Sequence, residues 1–406
     1  MRKVVIIGGG ASGMFAAYAA AKTGKSVILL EKNEKLGKKL YITGKGRCNL
    51  TNDVAVNEFF TNVVSNPKFL YGCINSFSPE DTIKFFNENS LSLKTERGNR
   101  VFPASDKASD VTKTLERLII KLGVDVRLNT NVTGLIFNDQ NICGVKTEVG
   151  DIACDSVIVC CGGISYPLTG STGDGYKFAR SVGHSIVDLR PGLVGIELNG
   201  NKYLDAQGVS LKNVTLTAKM NDKSVFSEFG EMLFTHFGVS GPLVLSCSSV
   251  INRLKLSDIK LQIDLKPALT TEVLDGRLLR EFKDNRGKEI QNVMRSLLPK
   301  GLIKMVLDHA KVNSSKNCSE ITQQERLNII KSLKQLEFSV KNLRPIEEAI
   351  ITSGGVCVKQ INPKTMESKM KNGLFFAGEV LDVDAFTGGF NIQIAFSTGY
   401  AAGINC

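Results

Sequence analysis

The ten cysteines include no CxxC pair, and the three histidines, His184, His236 and His309, stand far apart. Such spacing builds no zinc centre and no CxxC dithiol, so no metal is expected, and the adjacent Cys160 and Cys161 read as small buried residues rather than a redox pair. The dense cysteine framework of a small secreted fold is also missing, which points to reduced thiols and a cytoplasmic setting. No stretch approaches the roughly 18 apolar residues of a membrane span. The apolar run Val4–Ile7 stops at glycines and is too short for the core of a signal peptide. Lysines and arginines form no block of five or six, so nucleic acid is not the expected partner. There is no internal repeat and no low-complexity tract.

What is present is ordinary globular material. Hydrophobic residues make up 42% and charged residues 22% of the 406 residues, enough to bury a sizeable core. At roughly 150 residues per domain, two or three domains are expected. The net charge of +11 favours anionic ligands such as phosphates, acidic metabolites or nucleic acid, without choosing among them.

The β-branched run Val4–Ile7 predicts a strand buried on both faces. Glycines follow, then an alanine-rich helix over Met14–Thr23 ended by Gly24. Ser26–Leu30 predicts a second strand ending at Glu31. Strand, glycine turn, helix and strand in about 30 residues make one βαβ unit. Residues 32–53 read as a long, functional loop. Helices are expected over Pro79–Asn89 and Ala108–Leu122. Short strands (Val124–Leu128, Val132–Asn138, Ile142–Thr147, Ile152–Cys154) should lead back to a buried strand at Ser156–Cys161. After Arg190-Pro191-Gly192 the character changes. Residues 191–268 read as β-rich, with a helix near Pro242–Asn252, and 269–344 as helical. The end returns to glycine turns, a strand at Leu374–Ala377 and a small-residue helix over Ile392–Ala402. The expected fold is α/β: a discontinuous Rossmann-like domain, 1–190 plus 345–406, carrying an inserted β-rich and helical domain at 191–344.

Gly8-x-Gly10-x-x-Gly13 follows a strand and opens a helix. Gly8 permits the tight turn, Gly10 the approach of a pyrophosphate, and Gly13 close packing of helix on strand. Ser12 adds a hydroxyl. Glu31 lies where an acid accepts both ribose hydroxyls of an adenosine. This much fits FAD or NAD. The next segment favours FAD: Lys32, then Gly37-Lys38-Lys39, then Gly44-Lys45-Gly46-Arg47-Cys48-Asn49, with cations for phosphates and glycines for close backbone approach. Cys160-Cys161-Gly162-Gly163 ends a strand as a small-residue turn suited to lie beneath the adenosine. In Ser165–Gly175, Asp174 is placed to cap a helix, and the loop is also suited to line a substrate cavity. Near the C-terminus, Gly378-Glu379, Asp382 and Gly388-Gly389-Phe390-Asn391-Ile392-Gln393 lead into the last helix. That helix N-terminus would face the flavin ring where charge develops on reduction. Within the insertion, Gly230–Pro242 offers His236 as a candidate proton donor. Thr352–Val356 and Thr365–Lys369 offer another wall, or simply a turn into the sheet.

Taken together, Gly8–Gly13, Gly44–Asn49, Ser165–Gly175, Gly230–Pro242, Thr352–Val356 with Thr365–Lys369, and Gly378–Gln393 resemble the BaiN/YhiN-like, aminoacetone oxidase-type family of FAD-dependent oxidoreductases, nearly end to end. The resemblance implies an FAD Rossmann domain with an insertion. It implies FAD contacts at Ser12, Glu31, Gly37–Lys39, Gly44, Arg47–Asn49, the Val132 backbone, Glu379 and Asn391–Ile392. The expected activity is NAD(P)H-driven hydride transfer through the flavin to a small organic acceptor such as an activated C=C bond. With one dinucleotide fingerprint in the chain, NAD(P)H should bind only transiently. The alternatives are a flavin-dependent RNA-modifying enzyme and a non-catalytic flavin redox sensor.

Overall fold

Residues Lys3–Ile7 form the first strand (β1), buried from Val4 onward. Ala11–Lys22 form the first helix (α1) and Ser26–Leu30 the second strand (β2). Both strands run parallel in one sheet, whose order is Leu374–Phe376, Ser156–Val159, β1, β2 and Asp125–Arg127. Every neighbouring pair in this sheet is parallel. That arrangement explains the continuous apolar runs: a parallel sheet is covered on both faces.

The computed structural model describes all 406 residues, in two compact units: Met1–Gly192 with Ile346–Cys406, and Leu193–Pro345. In the first, α1 lies against the C-terminal helix Phe390–Asn405. A Cβ on Gly399 would overlap the Ser12 carbonyl, and one on Gly403 would crowd Ala16 and Ala19. Small residues on both helices therefore let their backbones nearly touch. Phe15 stacks on Phe396 with centroids 4.3 Å apart. A three-stranded antiparallel meander, Val132–Asn138, Asn141–Thr147 and Gly150–Ala153, leads into the sheet strand Ser156–Val159, which pairs with β1. The segment expected as one long loop holds a short helix, Lys38–Ile42, and a two-residue strand, Thr51–Asn52.

The second unit is built on a closed barrel. Its strands, in order, are Ile196–Leu198, Gly238–Ser240, Lys223–Phe234, Ser210–Met220, Ile259–Asp264 and Leu336–Leu343. Helices Thr271–Asp284, Lys300–His309 and Gln323–Lys334 follow the fifth strand in sequence. Here one expectation is corrected: the region 269–344 is not helical to its end. Leu336–Leu343 is a strand that pairs with both Ile259–Asp264 and Ile196–Leu198 and closes the barrel. Leu336 and Val340 are buried and Phe338 partly buried, while Glu337, Ser339 and Lys341 are exposed. This two-residue period was hidden because it directly continues the Leu and Ile spacing of the preceding helix. No helix of the chain is long and apolar enough to cross a membrane.

Candidate functional site

The glycine loop is shaped by contacts that differ from one glycine to the next. Gly8 has φ +102°, and a Cβ there would stand 2.6 Å from the Cys160 carbonyl oxygen. A Cβ on Gly13 would overlap the Gly8 carbonyl. At Gly10 a Cβ would meet nothing within 4 Å. Protein packing therefore explains Gly8 and Gly13 but not Gly10, whose missing side chain leaves open space at the N-terminus of α1. No side chain caps that terminus. Free amides, helix dipole and open space are what a pyrophosphate requires, so these residues fit the phosphates of a dinucleotide.

Glu31 is buried at the end of β2. Its carboxylate accepts hydrogen bonds from the Gly9 amide at 2.8 Å, the Asn33 amide at 2.8 Å and Asn33 Nδ2 at 2.6 Å. Three donors fix its orientation beside the glycine loop. The Gly37 amide donates to the Gly9 carbonyl at 2.8 Å, tying the turn after β2 to the same loop. Next to it runs a groove of about 630 Å³, lined in part by Lys32, Val132, Thr172, Asp174 and Lys177. Asp174 is the first residue of its helix, not its cap. Its carboxylate is taken by Lys32 at 2.7 Å and Lys177 at 2.9 Å. Burial works against its charge, but hydrogen bonds from Lys32, Lys177 and Thr172 outweigh that and hold it at about 2.

The two ends of the chain meet at Ser12. A Cβ on Gly378 would stand 2.5 Å from Ser12 Oγ, and the Gly378 amide donates to Thr398 Oγ1 at 2.9 Å. One residue on, Glu379 accepts from Lys39 Nζ at 2.7 and 2.9 Å, from Ser165 Oγ at 3.1 Å and from the Thr352 amide at 2.8 Å. Ser165 and Thr352 as direct partners of Glu379 were not legible, although both lie in segments the sequence had marked. Asn391 accepts from the Ala385 amide and donates to the Ala385 carbonyl, fixing the turn before the last helix. Gly389, with φ +101°, is the N-cap of that helix. Asp382 is buried and accepts from Asn66 Nδ2 at 2.9 Å.

The loop 44–49 is unusual in backbone and in charge. Gly44, Lys45, Gly46 and Cys48 all have positive φ. Arg47 does not stand free for a phosphate. It is held by Glu96 at 2.8 Å and Asp106 at 3.2 Å, with its guanidinium 4.1 Å from the Phe102 ring centroid. Cys48 is fully buried, and burial pushes its thiol up to about 12. The thiol is inert there. Asn49 Oδ1 is buried with no partner within the protein, as expected of a group whose partner is a ligand. Lys38 pairs with Glu34 at 3.1 Å. Gly162 has φ +68° and an ordinary contact with Ser171, so its conformation rather than space selects glycine. Ile392 lies partly buried in the first turn of the last helix. Cys160 is buried and Cys161 partly buried in the turn, and desolvation pushes Cys160 up to about 12 and Cys161 higher still.

His236 lies in the second unit, between the strands Lys223–Phe234 and Gly238–Ser240. It is exposed, with its ring edge-on to Phe237. In Thr365–Lys369, Ser368 Oγ lies 2.8 Å from His184 Nε2 in the interior. Ile351–Val356 is a fully buried strand paired with Ile186–Gly192.

A Rossmann βαβ unit, completed by a strand and helix from the far end of the chain, is the fold of an FAD-dependent oxidoreductase. The family model described as HI0933-like protein Rossmann domain matches residues 2–405. The chain belongs to that family, and it is a flavoprotein oxidoreductase with FAD as its cofactor. It is 30% identical to the 3-dehydro-bile acid delta(4,6)-reductase of Clostridium scindens, covering 99% of this chain and 98% of that one. It is 31% identical to the ribosomal RNA dihydrouridine synthase of Haemophilus influenzae, covering 99% and 97%. Among solved structures it resembles the 3-ketosteroid-delta4-(5alpha)-dehydrogenase of Rhodococcus jostii RHA1 in complex with 4-androstene-3,17-dione. That match has a TM-score of 0.51 at 13% identity and covers 100% of this chain and 96% of that one, a likeness of fold.

Proposed function

We propose that this enzyme reduces a C=C bond made electron-poor by conjugation to a carbonyl, with NAD(P)H as transient donor and a small organic molecule as acceptor. The observation that carries the reading is full-length similarity to a reductase named for delta(4,6) bonds of a 3-dehydro-bile acid. FAD, when bound, supplies the hydride chemistry. The chain's own residues do the rest. Glu31 accepts ribose hydroxyls, and the amides of Ala11, Ser12 and Gly13 meet the pyrophosphate. Lys32, Gly37–Lys39, Gly44, Arg47–Asn49, the Val132 backbone, Gly162 and Glu379 form the rest of the cradle. Asp382 and the amides of Phe390–Ile392 lie at the flavin end, where a helix N-terminus stabilises negative charge. His236 is the candidate proton donor. Anaerobic titration with NADH and NADPH, followed by mixing with α,β-unsaturated ketones, tests the reading. Flavin that is reduced by the nucleotide and reoxidised by an enone supports it. Flavin that no nicotinamide reduces, or no enone reoxidises, counts against it.

A second reading is favoured by charge and by the Haemophilus relative. The same chemistry applied to a uracil ring in RNA also reduces a C=C conjugated to a carbonyl. Residues 193–345 hold 23 lysines and arginines against 16 aspartates and glutamates, most of the chain's +11. Formation of dihydrouridine in RNA by the FAD-loaded enzyme is its test.

A further inference from the structure

We propose that the outer face of the barrel, across Ser210–Met220, Lys223–Phe234, Ile259–Asp264 and Leu336–Leu343, binds single-stranded RNA. It does so through Lys219, Lys260 and Lys341 to phosphates and through Phe229 to a base. The proposal extends the second substrate reading above.

Strand register places the residues. Lys219 pairs directly with Lys260, and Lys260 with Ser339. Paired residues point to the same side of a sheet, and here it is the outer side: Ala218, Leu261 and Val340, the alternating neighbours, are buried. Lys341 follows two residues after Ser339 and is exposed. The side chains of a directly opposed pair stand only ~5 Å apart at Cβ, and two like charges there destabilise the sheet. None of these three lysines makes an ion pair. The acids on this face do not neutralise them. Asp264 is bound by Lys334 at 2.6 Å, and Glu337 faces Gln262 in the neighbouring row. An anionic ligand offsets the repulsion that the fold leaves in place.

The same face carries a flat apolar group and hydroxyls. Phe229 pairs with Thr215, four residues along the strand from Lys219, and is 60% exposed. That separation is roughly 13 Å along a strand. Thr217 and Ser227 lie between them, their hydroxyls 3.0 Å apart. A large aromatic exposed on a basic, hydroxyl-rich sheet is the arrangement that stacks unpaired bases while cations follow the backbone. A duplex offers no free base face to Phe229, and a simple polyanion makes no use of it.

The test uses the full-length FAD-loaded protein and a short fluorescent oligouridylate, read by anisotropy over a range of salt. The double variant Lys219→Glu/Lys260→Glu should weaken binding at least tenfold and lower the salt slope by about 2. Phe229→Ala should weaken it about five- to a hundredfold with the slope unchanged. The flavin spectrum and thermal midpoint should match the parent, since all three positions are on the surface. Equal binding by parent and variants overturns the proposal. So does loss in the lysine variant alone with an acidic peptide competing as well as RNA, which assigns the face to an acidic protein. Uracil reduction is assayed separately. RNA bound at this face but never reduced fails the substrate reading and leaves the surface standing.

Discussion

Lys39 Nζ sits 2.7 Å from the Glu379 carboxylate, across 340 residues of sequence. The pair joins the short helix Lys38–Ile42 after β2 to the turn after Leu374–Phe376, the two segments a discontinuous cofactor domain must hold in register. Each side chain is about a quarter exposed. Glu379 also accepts from Ser165 and the Thr352 amide, so removing Lys39 leaves a mostly buried carboxylate with neutral donors only. Lys39→Met should lower stability by roughly 1–2 kcal/mol, less than the loss of a fully buried pair. Glu379→Gln keeps the shape and should cost less. Thermal melts of both variants, with and without FAD, check this. A Lys39→Met protein as stable as the parent in both states would show that the pair is incidental.

The glycine loop makes a sharper contrast. Gly10→Ala adds a methyl to open space at a backbone φ of −81°. The apo-protein should keep its stability within about 0.5 kcal/mol, while FAD affinity falls by an order of magnitude or more as the methyl takes the pyrophosphate's place. Gly13→Ala drives its methyl into the Gly8 carbonyl and should destabilise the apo-protein as overpacking does, by about 1–3 kcal/mol. Denaturant melts of the apo-forms and FAD titration separate the two outcomes. Parent-like FAD binding by the Gly10 variant would remove the central reason for placing the cofactor there.

These features differ in how far the sequence revealed them. β1, the glycine loop, β2 and Glu31 are local: their hydrophobic run, turn chemistry and acid fall within one continuous stretch. The partners of Glu379 are not local. Ser165 and Thr352 reach it only after the fold has brought together residues 187 positions apart. Arg47 reads as a free cation because its carboxylates, Glu96 and Asp106, lie on a hairpin and turn carrying no strong periodicity. The closing barrel strand Leu336–Leu343 was obscured because its two-residue period abuts a helix of similar composition.

Arg47 should act on the cofactor through the loop rather than by neutralising phosphate. Its guanidinium is bound by Glu96 and Asp106 and stacked on Phe102. Glu96→Gln and Arg47→Gln should therefore weaken FAD binding to a similar degree and shift the flavin spectrum alike. The double variant should be little worse than either single one, since both remove the same contact. If Arg47 instead contacts phosphate, Arg47→Gln alone weakens binding steeply and Glu96→Gln leaves it intact.

Asp174 sets an acid limit on the unit that carries the cofactor. With its folded value near 2 and an unfolded value of about 3.9, it binds fewer protons folded than unfolded. Its contribution is therefore complete above the unfolded value, falls as pH drops from about 4 towards 2, and is gone below that. Solvent screening at a partly exposed pair limits it to roughly 1 kcal/mol. Asp174→Asn should lower stability at neutral pH by about that amount and make the melting profile flatter between pH 4 and 2. It should also free Lys32 beside the groove lined by Val132 and Thr172. Urea melts across that range check the sign: a variant that loses stability equally at pH 2 and pH 7 would mean Asp174 acts by shape and not by charge.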